Sequence, residues 1–157
     1  MIITIRKIST ILCLLSIVGC SQDEAAESEI IDNAGTIERL DPRLDALIPL
    51  DANIQKLASG FTFTEGPVWD KRSDVLYFSD VRDNTIYSWS EDEGVNVFIQ
   101  PVFAEETDHP SVGSNGLTLD REGRLILMEH GYRRVSRLEA NGERTTLVDN
   151  YRGNRLN

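Results

Sequence analysis

The sequence predicts an all-β protein with the β-propeller architecture, in which small four-stranded sheets, called blades, surround a central channel. Two similar segments fifty residues apart carry this prediction: residues 65–70 read EGPVWD and residues 115–120 read NGLTLD. Each segment is followed by apolar runs and turns in the same order. A repeat of about 40 to 50 residues with four short strands in each copy is typical of a propeller blade.

Four strands are predicted in the first copy, beginning with the innermost strand that opens at Glu65. The run from Val75 to Asp80 is rich in β-branched and aromatic residues and lies between two polar turns, as a hairpin strand does. The run from Thr85 to Ser90 alternates faces and ends in a turn at residues 91–94. Val95 to Ile99 completes the blade.

The second copy repeats this order and predicts a second blade, with Asn141-Gly142 as a typical hairpin turn. Upstream of both copies, the segment from Ile54 to Ala58 resembles an outermost strand, and nothing from residue 60 onward favours a helix. The four strands expected in the second copy are Leu117 to Leu119, Arg124 to Glu129, Arg134 to Glu139 and Arg144 to Val148.

The length of the chain limits how much of a propeller it can form. Closed propellers have roughly four to eight blades, and each blade buries its faces against neighbours on both sides. The 157 residues accommodate two blades, and a third copy would begin near Arg155. We therefore expect the front portion of a larger protein, with residues 1–19 as a signal, 20–38 as a tether and 39–157 as an incomplete propeller.

The first twenty residues have the pattern of a bacterial export signal. Basic residues at positions 6 and 7 precede an apolar run over 8–17, which is shorter than the roughly 20 residues of a membrane-spanning helix. The run ends in a lipobox-like sequence, so Cys20 is expected to carry a lipid anchor. Ser21 resembles the signal that directs lipoproteins to the outer membrane, facing the periplasm. The alternatives are an ordinary cleaved signal or a core strand.

Cysteine content and charge narrow the function classes. Cys13 would leave with the signal and Cys20 would carry lipid, so no disulfide or redox chemistry is expected. The net charge is −10, and removing the signal's two basic residues from the total of 16 leaves 14 against 26 acidic residues, or −12. Such a chain would repel nucleic-acid phosphates and suits a protein that binds a divalent cation. The acidic segment 21–36 is expected to be a solvated spacer.

The innermost strands of a propeller bring equivalent residues of successive repeats towards one axis. Glu65 and Asn115 occupy such equivalent positions at the starts of their strands. Carboxylate and amide oxygens are hard donors that Ca²⁺ and Mg²⁺ prefer, so the pair is a candidate part of an axial metal site. The alternative is that both residues, each followed by glycine, belong to turns that precede the strands.

Four segments together carry a resemblance over about residues 40–157: residues 61–69 (FTFTEGPVW), 114–120 (SNGLTLD), 130–135 (HGYRRV) and 153–157 (GNRLN). They resemble the gluconolactonase and regucalcin (senescence marker protein) family. The resemblance implies a six-bladed propeller that holds a divalent cation on its axis and opens sugar lactones and related esters. It implies a metal-ligand role for Glu65, and for Asn115 a contact with substrate or with metal-bound water.

The reaction that the resemblance implies is metal-assisted hydrolysis, in which the cation polarises the lactone carbonyl and a carboxylate accepts a proton from water. Calcium is the expected cofactor, with magnesium and zinc as alternatives. The family's other ligands and its general base would fall beyond residue 157, so the chain alone is expected to lack turnover. Gly113 stands where the animal branch has an arginine, so that branch's sugar contacts do not transfer.

Other residues of the sequence are candidates for substrate contacts or for closing the channel. His130 could shuttle protons at the channel mouth and Arg133 could clamp substrate oxygens, but a strand-end histidine and a solvated turn are the alternatives. Trp69 and Trp89 are expected to pack between blades rather than stack on a sugar. The segment 105–109 is expected to be a loop or lid over the channel rather than a second metal site.

Two other functions remain open at the level of sequence. A lipid-anchored propeller could be a binding or scaffold module without chemistry, because a fold does not determine activity. The chain could also be the remnant of a split gene, with the C-terminal blades as a separate partner chain. The other expected partners are a small-molecule lactone or sugar-acid ester and, through the lipid only, a membrane; no nucleic acid is expected.

Overall fold

The computed structural model describes residues 34–105 and 112–156, so the predicted signal, Cys20 and most of the tether lie outside the described residues. A short 3₁₀ helix, Pro42–Ala46, begins after Asp41, whose carboxylate accepts the backbone N–H of Arg43 at 2.8 Å. Within the two described ranges, no helix has the length and apolar character that crossing a membrane requires.

The first blade is an antiparallel sheet whose strands follow sequence order: β1 (Thr64–Asp70), β2 (Val75–Asp80), β3 (Thr85–Ser90) and β4 (Gly94–Ile99). The predicted bounds of β2 and β3 are confirmed, and β4 begins one residue before the predicted start. The pairing of β1 with β2 shifts register between Glu65 and Val68. This bulge bends the inner strand at the position of the candidate metal ligand.

The second blade repeats the arrangement with β5 (Ser114–Leu119), β6 (Leu125–Glu129), β7 (Arg134–Leu138) and β8 (Arg144–Val148). Its inner strand has a register shift between Ser114 and Leu117, the position equivalent to the bulge of β1. The inner strand begins one residue before Asn115, where the repeat opens it, and three residues before Leu117, where the apolar run begins. The shared bulge shows that the two sequence repeats are also structural repeats, and the all-β propeller class is confirmed.

The prediction of an outermost strand at Ile54 to Ala58 was wrong. Only Lys56 makes an isolated bridge there, because the described residues contain no further four-stranded sheet whose edge this segment could extend. Beyond β8 the chain forms a small hairpin of two short strands, β9 (Asn150–Tyr151) and β10 (Asn154–Arg155).

The hydrophobic core lies between the two blades, where β1 and β2 contact β5. Ile86 and Leu127 are fully buried there, and each such side chain contributes about 1.5–3 kcal/mol when it leaves water. The remaining buried members of the cluster are Val102, Leu117 and Leu125. Packing of the first blade against the second therefore fixes how the inner strands β1 and β5 lie relative to each other.

The prediction that both tryptophans pack between blades was wrong for Trp69. Trp69 is 43% exposed, and it lines an open cleft with the half-buried Trp89. Trp69 is solvent-accessible because the described residues provide no sheet that covers this face of the first blade.

Tyr87 on β3 is expected to keep its phenol proton to high pH. Burial, together with the hydrogen bond that its hydroxyl donates to Asp83 at 2.9 Å, raises the pKa of Tyr87 to about 12 from 10.0. The proton is therefore held more tightly in the folded state, so its stabilising contribution is complete below pH 10 and is lost as the pH rises towards 12. Burial also raises the pKa of Tyr77, so ultraviolet titration should lose its latest step in Tyr87→Phe, and an unchanged titration curve would contradict this assignment.

Candidate functional site

The inner strands β1 and β5 meet at their bulges. Gly66 has a φ of 58°, and its backbone lies against residues 115–117. A Cβ atom at position 66 would clash with the carbonyl oxygen of Asn115 and would lie within 2.8 Å of the Cα of Gly116. Only glycine permits this approach, which brings the strands of the two predicted oxygen donors, Glu65 and Asn115, side by side.

A run of backbone hydrogen bonds continues from the first blade to the second. The N–H of Val81 donates to Phe63, that of Gly113 donates to Val81, and that of His130 donates to Gly113, at 3.0, 3.1 and 2.9 Å. A Cβ at position 113 would come within 3.1 Å of the Val81 carbonyl oxygen. The backbones of the two blades thus approach each other closely at Gly113.

The side chains of the two predicted oxygen donors line different clefts. Glu65 is half-buried and lines a cleft of about 340 Å³ whose other walls are mostly apolar, including Leu57, Phe61 and Phe78. Asn115 is exposed and lines a second cleft of about 390 Å³ together with His130. The structure thus places Asn115 beside His130, and it places Glu65 on the neighbouring strand but in another cleft.

The chemistry of these donors fits a hard cation, but only as part of its coordination shell. A carboxylate and an amide oxygen are suitable ligands, whereas Ca²⁺ takes six to eight oxygens. Among residues 34–105 and 112–156, no group of three or more His, Cys, Asp or Glu side chains is arranged to hold a metal ion. The described residues could therefore contribute two ligands to a site that needs others.

Arg133 is engaged with the chain's own backbone. Its Nε donates to the carbonyl oxygen of Leu156 at 2.6 Å, and its φ of 54° places it in the turn between β6 and β7. This arrangement favours the turn interpretation of Arg133 over a substrate clamp. His130 is half-buried at the end of β6, where its backbone joins the run of hydrogen bonds between the blades.

A buried carboxylate that the sequence analysis missed lies at the end of β6. Glu129 is 2% exposed and accepts hydrogen bonds from Ser136 Oγ at 2.7 Å, Arg134 Nε at 2.5 Å and Arg144 Nη1 at 2.8 Å. Glu129 and Arg134 are cross-strand partners in the β6–β7 hairpin. Opposite charges at paired positions of a predicted hairpin are the signal that could have identified part of this cluster.

Three further side chains hold the start of the inner strands. The carboxylate of Asp80 accepts the backbone N–H groups of Thr62 and Phe63 at 2.6 and 2.9 Å, immediately before β1. The hydroxyl of Ser79 is hydrogen-bonded to that of Ser114 at 2.8 Å across the blade interface. No buried side-chain N or O atom of the described residues lacks a hydrogen-bond partner.

The segment that leads into the predicted lid, residues 102 and 103, is fixed to both blades. The amide side chain of Asn84 donates to the carbonyl oxygen of Phe103 at 2.7 Å and accepts its N–H at 2.9 Å. The Phe103 ring lies edge-on against Tyr132 with centroids 4.5 Å apart, and Arg144 donates to the carbonyl oxygen of Val102. Residues 106–109 of the predicted lid lie outside the described residues.

These features define a segment of a β-propeller whose inner strands carry an acid just before one bulge, at Glu65, and an amide within the other, at Asn115. The chain belongs to the SMP-30/gluconolactonase/LRE-like family, whose model matches residues 63–157. The resemblance inferred from the sequence motifs is therefore confirmed.

Proteins similar to this chain are gluconolactonases. A gluconolactonase of Zymomonas mobilis is 34% identical over 130 residues, which are 78% of this chain and 36% of that protein. The structure of a gluconolactonase from Xanthomonas campestris matches with a TM-score of 0.67 and 28% identity, over 86% of this chain and 42% of the other. An X-ray structure of a candidate gluconolactonase matches with a TM-score of 0.61 and 36% identity, over 75% and 38%. The chain thus spans less than half the length of these relatives.

Proposed function

We propose that the protein to which this chain contributes hydrolyses sugar lactones with the help of a divalent cation, calcium first and magnesium or zinc as alternatives. The proposal is supported by the family match together with one structural observation. Gly66 lets the inner strands of adjacent blades touch, and Glu65 and Asn115, which the sequence repeat aligns, lie at the bulges of these strands. Because the chain spans 36–42% of its relatives, the activity is proposed for the whole protein and not for these two blades alone.

The residues of this chain would have distinct roles in such a site. A bound cation supplies Lewis-acid polarisation of the lactone carbonyl. The carboxylate of Glu65 would hold the cation, and because the other walls of its cleft are mostly apolar, the remaining ligands would come from other groups. The amide of Asn115 would orient the lactone or a water molecule, with His130 beside it in the same cleft. Arg133 has no assigned role in this scheme, because its Nε binds the backbone.

The lactonase proposal can be tested in a chimera that supplies the remaining blades. Residues 63–156 would replace the matched segment of the Xanthomonas campestris gluconolactonase, and opening of glucono-δ-lactone would be followed in a pH-stat. We expect activity that EDTA abolishes and that Glu65→Gln lowers about a hundredfold, since a metal ligand is lost. The two-blade chain alone should show no turnover.

The control for this experiment is Glu122→Gln, which changes a carboxylate on an exposed turn. Only chimeras that unfold in one cooperative thermal transition would be compared, so that a misfolded chimera is not mistaken for an inactive one. A cooperatively folded, active chimera in which Glu65→Gln has no more effect than Glu122→Gln would contradict the metal-ligand role of Glu65.

We also propose that the protein is exported and anchored through lipid on Cys20, with the outer membrane facing the periplasm as its location. The proposal is supported by the basic, apolar and lipobox-like segments of residues 6–20, which lie outside the described structure. Cys20→Ser is expected to move the protein from the membrane fraction to the soluble fraction and to block incorporation of labelled palmitate. A Cys20→Ser variant that stays membrane-bound would contradict the anchor.

A further inference from the structure

We propose that Ser79 and Ser114 are positioning residues, whose shared hydrogen bond sets the placement of Glu65 relative to Asn115. The inference rests on the proposed function, in which these two residues contribute oxygen donors to one site. The two serines are 35 residues apart in sequence and belong to different blades, yet their hydroxyl oxygens are 2.8 Å apart.

Each serine is directly connected to one of the proposed donors. Ser79 on β2 is the cross-strand partner of Glu65 on β1, and Ser114 precedes Asn115 on β5. Both serines are fully buried, with 0% exposure. A displacement of Ser79 would therefore move Glu65 through the pairing of β1 with β2. A displacement of Ser114 would move Asn115 through the peptide bond that joins them.

The surroundings explain why a directional contact matters at this point. The nearby core is aliphatic and includes Ile86, Leu117 and Leu127, whose contacts have little directional preference. A hydrogen bond is directional, and a buried one is strongly favoured over its unpaired alternatives. Functional groups must be held within about 0.5 Å of their productive positions, which packing of smooth aliphatic surfaces does not ensure by itself.

The variant that tests this inference is the double substitution Ser79→Ala with Ser114→Ala. Removing both hydroxyls leaves neither one buried without a partner, so the fold should survive with little loss of stability. The matched control is Ser88→Ala, which changes a half-buried serine on β3, away from this hydrogen bond. Single substitutions are avoided because each would leave a buried hydroxyl unpaired.

Calcium chloride alone is the probe, titrated into the ¹⁵N-labelled chain while amide signals at residues 65, 66, 115 and 116 are followed by NMR. Because this chain supplies only two ligands, wild type should show shifts at both strands that saturate only at high calcium concentration, and Glu65→Gln should abolish them. The double serine variant should raise the titration midpoint about fivefold or more, by analogy with groups that orient metal ligands, while Ser88→Ala should not. An unchanged midpoint in the double variant would overturn the positioning role, although the metal site itself would stand.

A metal-free measurement separates the two proposals. In the absence of calcium, the double serine variant should weaken the NOE contacts between Gly66 and Gly116 about twofold and lower the exchange protection of the Gly113 N–H about tenfold. If wild type shows no calcium-dependent shifts, the metal proposal fails for this chain. The positioning role is then tested only by the NOE contacts between Gly66 and Gly116 and by the exchange protection of the Gly113 N–H. If both signals match those of wild type and Ser88→Ala, the serine pair does not position the strands.

Discussion

Replacing Gly66 with alanine is expected to lower the free energy of unfolding by about 3–5 kcal/mol, the range of the most damaging single substitutions. Two effects add. The φ of 58° costs a residue with a Cβ about 1–2 kcal/mol. The new Cβ would also collide with the carbonyl oxygen of Asn115 and approach Gly116 Cα and Leu117 N within 2.8 Å, and these backbone atoms cannot move aside as a flexible side chain could.

Gly142→Ala is the matched control for this substitution. Gly142 also has a positive φ, 83°, but no atom lies within 4 Å of a Cβ built there. The control therefore carries the conformational cost without the collision and should lose only about 1–2 kcal/mol. Urea unfolding followed by tryptophan fluorescence gives both values. Equal losses for the two variants would contradict the close approach of the inner strands.

Much of this fold could be predicted because the strands have local signals. The bounds of β2 and β3 follow from apolar runs between polar turns, whereas the repeat aligns Glu65 with Asn115 although the strand registers pair Glu65 with Ser79 and Ser114 with Glu129. The start of β5 is only partly predicted, because the repeat opens the strand at Asn115 whereas the apolar run begins at Leu117. Its first residues, Ser114 to Gly116, are small or polar and have low strand propensity, and they are held in place by the other blade.

The less predictable parts of the site depend on contacts between distant residues. The hydrogen bond between Ser79 and Ser114 joins two blades, and no local pattern indicates which serines will meet. The separation of Glu65 and Asn115 into two clefts depends on which blade faces are covered. The exposure of Trp69 also depends on which blade faces are covered. An aromatic residue in a strand is expected to be buried unless no other element packs against its face of the sheet.

The cluster around Glu129 provides the second prediction with a large effect. Glu129→Gln is expected to lower the free energy of unfolding by about 3–5 kcal/mol, the usual result of removing one partner from a buried ion pair. Glutamine has nearly the same shape, so packing is retained. The substitution removes the charge that compensates Arg134 and Arg144, whose side chains are 22% and 20% exposed.

The control for this prediction is Glu122→Gln. Glu122 also binds an arginine, Arg124, at 3.0 Å, but the glutamate side chain is 66% exposed and its ion pair lies in water. Exposed pairs contribute about 0–1 kcal/mol, so this variant should unfold close to the wild-type urea concentration. Arg144 also binds the carbonyl oxygen of Val102, so Glu129→Gln should additionally loosen the connection between the blades, seen as faster amide exchange at Phe103. Similar small losses in both variants would show that the buried cluster is no more stabilising than a surface pair.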